Sequence, residues 1–400
     1  MLSCFALTAL AAAPVAVPAT VNLQALIDAT PANGTLRLAA GNYTGPVTIS
    51  RPMTLDGGHQ ATIVGDGKNT VLSVSGANVT VRGLHLIGSG ELHDHIDAGI
   101  LLEGEHHLVE DNRLDDVLFG IHLKQVNYSR IINNQVRGKA LSLGMRGDAI
   151  RLWYSRHNVI EGNHFSRARD LTLTNSPDNR ITGNHFSDGR YGLHIIFSPR
   201  LLIDNNRISD TSTGIVALYS PGLVLRGNYV AHALTGGGGG MVFKESNDAV
   251  VENNEVLHCA VGLKVDAPPQ AAGMLIVRNN RFAHNIIGAF FYGEDGGHRF
   301  YDNRFEKNLT QVAISAVGTA RANIWRGNYW DDYQGFDRNG DSIGDTSHEA
   351  YLFADRIWME TPMATFFRNS PAFELLDFLE RLAPFSIPYR VFQDEFPRMQ

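Results

Sequence analysis

The sequence predicts an all-β chain wound as a right-handed parallel β-helix, and three observations carry that prediction. An asparagine returns at intervals of mostly 21 to 26 residues, always two places before a large apolar side chain. The file runs Asn112, Asn134, Asn163, Asn184, Asn206, Asn228, Asn254, Asn280, Asn303 and Asn328, with apolar partners from Leu114 through Phe186 and Phe282 to Trp330. A glycine follows eight places later at Gly120, Gly192, Gly214, Gly262 and Gly288, each opening an alternating apolar run. Forty glycines and many Asn and Asp residues supply the corners that so many short strands need. A repeat of this length is too short for a helical pair and suits one turn of a strand-built solenoid. Side-chain amides at a fixed corner can bond coil to coil along the axis. Ten to twelve coils, roughly 4.8 Å apart, make a rod on the order of 50 Å long.

Residues 1–19 predict an export signal. Phe5 to Val17 is uncharged and apolar, too short to span a membrane, and Val17-Pro18-Ala19 offers a small-residue cleavage site. The usual basic n-region is missing, which leaves the start codon open. Once the signal is removed only Cys259 remains, so no intrachain disulfide can form. Residues 20–330 form the solenoid. Thr20 to Ala29 places Leu23, Leu26 and Ile27 on one helical face and should cap its open N-terminal end. Insertions at Gly88–His107, Gly138–Arg146 and Thr235–Gly240 enlarge individual coils. Residues 331–365 are an acidic, non-repetitive segment, and residues 366–400 hold an amphipathic helix and a tail. Ser370 is a good N-cap and Pro371 fits the first helical position. Leu375, Leu376, Leu379 and Leu382 make the helix's apolar stripe. In the tail, Phe385, Tyr389, Phe392 and Phe396 read as anchors for a partner. A net charge of −7 and a pI near 6.1 argue against nucleic acid as that partner.

Counting four places on from the file asparagine gives Asp116, Arg167, Asp188 and Asp210, then His232, His258 and His284, then Lys307. Three imidazoles on consecutive coils should stack about 5 Å apart, where neighbours can share a copper, zinc or nickel ion. The same position also reads as an ordinary polar corner. His164 and His185, each just after a file asparagine, form a second outward-facing pair. A third histidine group, His93, His95, His106 and His107, lies among acids in the first insertion with nothing to fix its geometry. Asp337, Asn339, Asp341 and Asp345 occupy places one, three, five and nine of a loop, as in a calcium site. The match to an EF-hand is partial: glycine is not at the sixth place, and His348 replaces the glutamate at the twelfth. An Asx-turn-rich surface loop is the other reading. No nucleophile elbow, P-loop or dinucleotide fingerprint is present. The corner acids are interrupted by Arg167, unlike the clustered acids of carbohydrate-active β-helices.

Several segments stand out from the generic repeat: Arg51-Pro52-Met53-Thr54-Leu55-Asp56-Gly57-Gly58, Asp97-Ala98-Gly99-Ile100 and Gly147-Asp148-Ala149-Ile150-Arg151-Leu152-Trp153. Arg190-Tyr191-Gly192, Gly327 to Asp345, Asp355-Arg356-Ile357-Trp358 and Ser370-Pro371 complete the set. Through these segments the chain resembles the NosD family, periplasmic β-helix proteins with the pectin-lyase-like kind of solenoid. The resemblance implies a non-enzymatic accessory of nitrous oxide reductase maturation. It implies an ABC transporter permease and ATPase, a copper chaperone and the reductase as partners, and copper as transient cargo. No ligand motif carries over residue by residue. The competing expectation is a secreted carbohydrate-active enzyme, a uronan epimerase or lyase; a structural surface adhesin is a third.

Overall fold

The computed structural model describes residues 22–235, 237–266, 273–293, 296–316, 318–352, 370–382 and 389–399. The predicted signal, the 355–358 motif and Phe385 lie outside the described residues. Each coil is three short strands in parallel register with the coils above and below. One coil runs from His185 to Asp204 and pairs His185 with Arg207, Leu193 with Ile215 and Ile203 with Leu225. The residue two places after the file asparagine is buried in every described coil, as Phe165, Phe186, Ile208, Val230, Val256, Phe282, Phe305 and Trp330.

The asparagine file forms as the spacing predicts. From Asn112 to Asn328 every member is at most 3 % exposed. From Asn134 onward each Oδ1 accepts both the backbone N–H and the Nδ2 of the preceding asparagine, at 2.8 to 3.1 Å. The glycines eight places on answer to crowding. A Cβ on Gly192 would lie 2.4 Å from Ile208 Cγ2 and 2.7 Å from the Gly214 carbonyl oxygen. A second file, which the sequence reading missed, runs through Ser155, Ser176, Ser198, Ser220 and Ser246. Each backbone N–H there donates to the next serine Oγ at 2.9 to 3.0 Å.

Helix α1 (Leu23–Ala29), capped by Asn22, closes the N-terminal end with Leu23 and Ile27 buried. Its Gln24 amide pairs with both backbone groups of Thr48. Helix α2 (Pro371–Leu382) presents Leu375, Phe378, Leu379 and Leu382 to solvent, each at least 43 % exposed.

The C-terminal tail differs from expectation. Tyr389–Asp394 is a strand, antiparallel to His348–Leu352 and joined to the last coil through Trp325 and Asp394. Phe392 is 5 % exposed and stacks on Trp330 at 4.5 Å, while the Phe396 ring lies beneath Arg326. Asp394 is fully buried and ends the asparagine file: its carboxylate accepts from Gly327 N, Asn328 N, Asn328 Nδ2, Trp330 Nε1 and Phe396 N. The expectation that the tail is free to anchor a partner is therefore corrected, because its strand closes the last coil. Without it the last coil's aromatic core would face water.

Candidate functional site

The corner four places after the file asparagine is left-handed at each non-glycine residue from Asp116 (φ 53°) through His258 (φ 52°) to Lys307 (φ 51°). That backbone turns its side chain outward, so His232, His258 and His284 stack along the edge of the solenoid. Ring centroids are 5.7 Å apart for the first pair and 5.0 Å for the second, with the second pair tilted by only 15°. His232 Nδ1 sits 3.1 Å from Asp210 Oδ1. Imidazole lone pairs lie in the ring plane, so near-parallel rings at this spacing must turn before two nitrogens can reach one ion at about 2.0 Å each. Cys259, next to His258, points inward: its thiol donates to the Leu257 carbonyl, and burial pushes its pKa up to about 11. It is not a fourth ligand of that stack.

His164 and His185 are register partners on adjacent coils, and their rings meet edge to face, with centroids 5.5 Å apart and planes at 67°. They line a cavity of about 430 Å³ with Arg113, Asp115, Gln135, Arg137, Ser166 and Ser187. Burial, then the neighbouring His164 and Arg207, hold the His185 imidazole below its ordinary pKa and so favour its neutral form. A neutral imidazole is the form that binds a transition metal. A second cavity, lined by His59, His85 and Asp111, continues along the axis and shares Arg113 and Gln135 with the first.

The insertion histidines do not converge. His93 Nε2 donates to the Met145 carbonyl, His106 stacks on Tyr128, and His107 is buried with Nε2 on the Glu103 carbonyl. In the acidic loop Asp337 accepts the backbone N–H groups of Gly340, Asp341 and Ser342, Asn339 that of Asp341, and Asp345 that of Arg338. The side chains are turned onto the loop's own amides, the Asx-turn arrangement. Among the described residues no group of three or more His, Cys, Asp or Glu side chains is placed to hold a metal ion.

The sequence reading missed a charged cluster on the strand face that follows the corner. Asp148 and Asp170, both fully buried, face Arg151, Arg169, Arg190 and His194. Arg169 reaches Asp148 Oδ1 at 3.1 Å, and Arg190 Nε reaches Asp170 Oδ1 at 3.1 Å. Burial raises the Asp148 pKa; Asp170 is also desolvated, but bonds from His194 and Arg190 outweigh that and hold it low. Next to Arg151, burial followed by the charges of Arg151 and Lys124 pushes the His122 imidazole down to about 4. Two of the segments that carried the family resemblance, 147–153 and 190–192, supply much of this cluster, so the signal was in view.

A family model described as periplasmic copper-binding protein (NosD) matches residues 132–335. The chain is 29% identical over 369 residues to a probable ABC transporter binding protein NosD of Pseudomonas aeruginosa, covering 88% of this chain and 85% of that one. It is 28% identical over 394 residues to the protein of the same description from Stutzerimonas stutzeri, covering 91% and 86%. Among solved structures it is similar to a mannuronic acid specific polysaccharide family 6 lyase from human gut microbiota, with a TM-score of 0.55 at 14% identity over 77% of this chain and 83% of the other. It is also similar to a family 28 exopolygalacturonase of Yersinia enterocolitica, with a TM-score of 0.50 at 11% identity over 73% and 72%. At such identities these likenesses show the fold alone. No helix among the described residues is long and apolar enough to cross a membrane. The chain belongs to the NosD family of periplasmic copper-binding proteins.

Proposed function

We propose that this protein is a non-enzymatic accessory factor that works with an ABC transporter to pass copper toward the copper centres of nitrous oxide reductase. A copper chaperone supplies the metal, and the transporter's permease and ATPase hold the factor at the membrane. The observation that carries the reading is the His164–His185 pair. Two imidazoles, one with its pKa lowered by burial, meet edge to face in a cavity of about 430 Å³ on paired strands of adjacent coils. Copper accepts imidazole ligands, and a site with two ligands and an open side suits cargo that must leave again. The relatives' description as ABC transporter binding proteins supports the membrane partner. The exposed stripe of α2 is the surface we assign to it: Leu375, Phe378, Leu379 and Leu382 lie three and four residues apart on one helix face. The His232, His258 and His284 stack is kept as an outer copper contact.

The test is complementation of a denitrifying strain that lacks this gene. The double variant His164→Ala/His185→Ala should fold, reach the periplasm and co-purify with the permease, yet leave the reductase several-fold poorer in copper. Full copper loading by that variant would remove the pair from the pathway. Full loading in the strain with no copy of the gene would remove the function itself.

A further inference from the structure

The charged strand face has features that copper transfer does not use. Three guanidiniums, from Arg151, Arg169 and Arg190, stand against the two buried carboxylates of Asp148 and Asp170, leaving one positive charge in excess. His122 and Arg151 are register partners on adjacent strands. Their sequence neighbours Ile121, Leu123, Ile150 and Leu152 fill the core, so both side chains lie on the outer face. His122 is only 4 % exposed, and its Nε2 has no hydrogen-bond partner; Arg151 Nε is buried and equally unpartnered. A buried polar group left unpaired is costly, and two on neighbouring strands call for an oxygen partner. The Arg151 and Arg169 side chains each keep 23% exposure, so the row opens to solvent.

The next outward residue on the Arg151 strand is Trp153. Its side is exposed, the Arg151 guanidinium lies 5.8 Å from its ring, and Tyr154 meets it edge-on at 5.1 Å. A guanidinium's fork matches paired oxygens such as those of a carboxylate. An exposed indole beside it offers a flat apolar surface to the C–H face of a sugar ring.

We propose that this face binds an acidic sugar, with the uronate carboxylate on Arg151 Nε and His122 Nε2 and the ring against Trp153. The probe is trigalacturonate, titrated calorimetrically into the mature protein, with maltotriose as the uncharged sugar and sodium sulfate as the anion without a ring. Trigalacturonate should bind at least about tenfold more tightly than either control. Arg151→Met should remove most of that affinity; Asp148 then still keeps Arg169. Trp153→Ala, an exposed change that leaves the core alone, should weaken trigalacturonate several-fold and leave sulfate unchanged. Sulfate binding as tightly as trigalacturonate, with Trp153→Ala silent, would reduce the site to one for free oxyanions and overturn the sugar assignment. Trigalacturonate binding unchanged in both variants, or no binding by the native protein, would overturn the site.

Discussion

Replacing Asn206 by alanine is expected to cost about 4 kcal/mol of stability, near the upper end for any single substitution. Asn206 Oδ1 accepts from Asn184 N and from Asn184 Nδ2, and its own Nδ2 donates to the Ile181 and Asp204 carbonyls and to Asn228 Oδ1. Alanine strips a partner from two donors of Asn184 and from the Ile181 carbonyl, all in a dry interior. Each such loss costs roughly 1–3 kcal/mol, partly recovered where the coil relaxes. Asn206→Asp should be no rescue, because a carboxylate cannot donate to Ile181 O and buries a charge among acceptors. Urea unfolding followed by circular dichroism measures both. A loss under about 1 kcal/mol for either variant would show that the file is ornament rather than structure.

The second large effect is expected at the other end of the same file. Every group around Asp394 is an N–H donor, five in all. That is why a carboxylate, which only accepts, terminates a row of amides that both give and take. Asp394→Asn would turn an NH₂ toward these donors and should cost about 2 kcal/mol; Asp394→Ala should cost more. Truncation before Tyr389 should go further still and expose Trp325 and Trp330, which Phe392 now covers. Such a chain is expected to aggregate or to bind a hydrophobic dye strongly. A truncated chain that stays monomeric with native unfolding behaviour would contradict the closing role of the tail.

How much of this was legible depends on where the bonding partner sits in the sequence. The asparagine file was plain because an amide that must repeat once per coil leaves a fixed period, and Phe186 or Phe282 beside it confirms the inward face. The serine file obeys the same rule, but serine is common at corners of every kind and carries no mark by itself. The imidazole corner could be counted off from the file, whereas the cavity at His164 and His185 depends on how Arg113 and Arg137 on other coils frame it. The Asp148 cluster escaped because the Gly138–Arg146 insertion shifts the count, so Asp148, Arg169 and Arg190 align only once the coils are wound. The tail strand escaped because its partner, His348–Leu352, lies some forty residues away in an antiparallel pairing that no repeat announces.

Whether copper is held by the edge-to-face pair is decided by a competition titration of the mature protein with copper and a chromophoric chelator. Three proteins are compared: the native chain, His164→Ala/His185→Ala, and His232→Asn/His258→Asn/His284→Asn, asparagine being tolerated at left-handed corners. The double variant is expected to lose about tenfold or more in copper affinity while the triple variant loses less. Native affinity in the double variant, or a larger loss in the triple variant, would contradict it and move the copper site to the stacked corner.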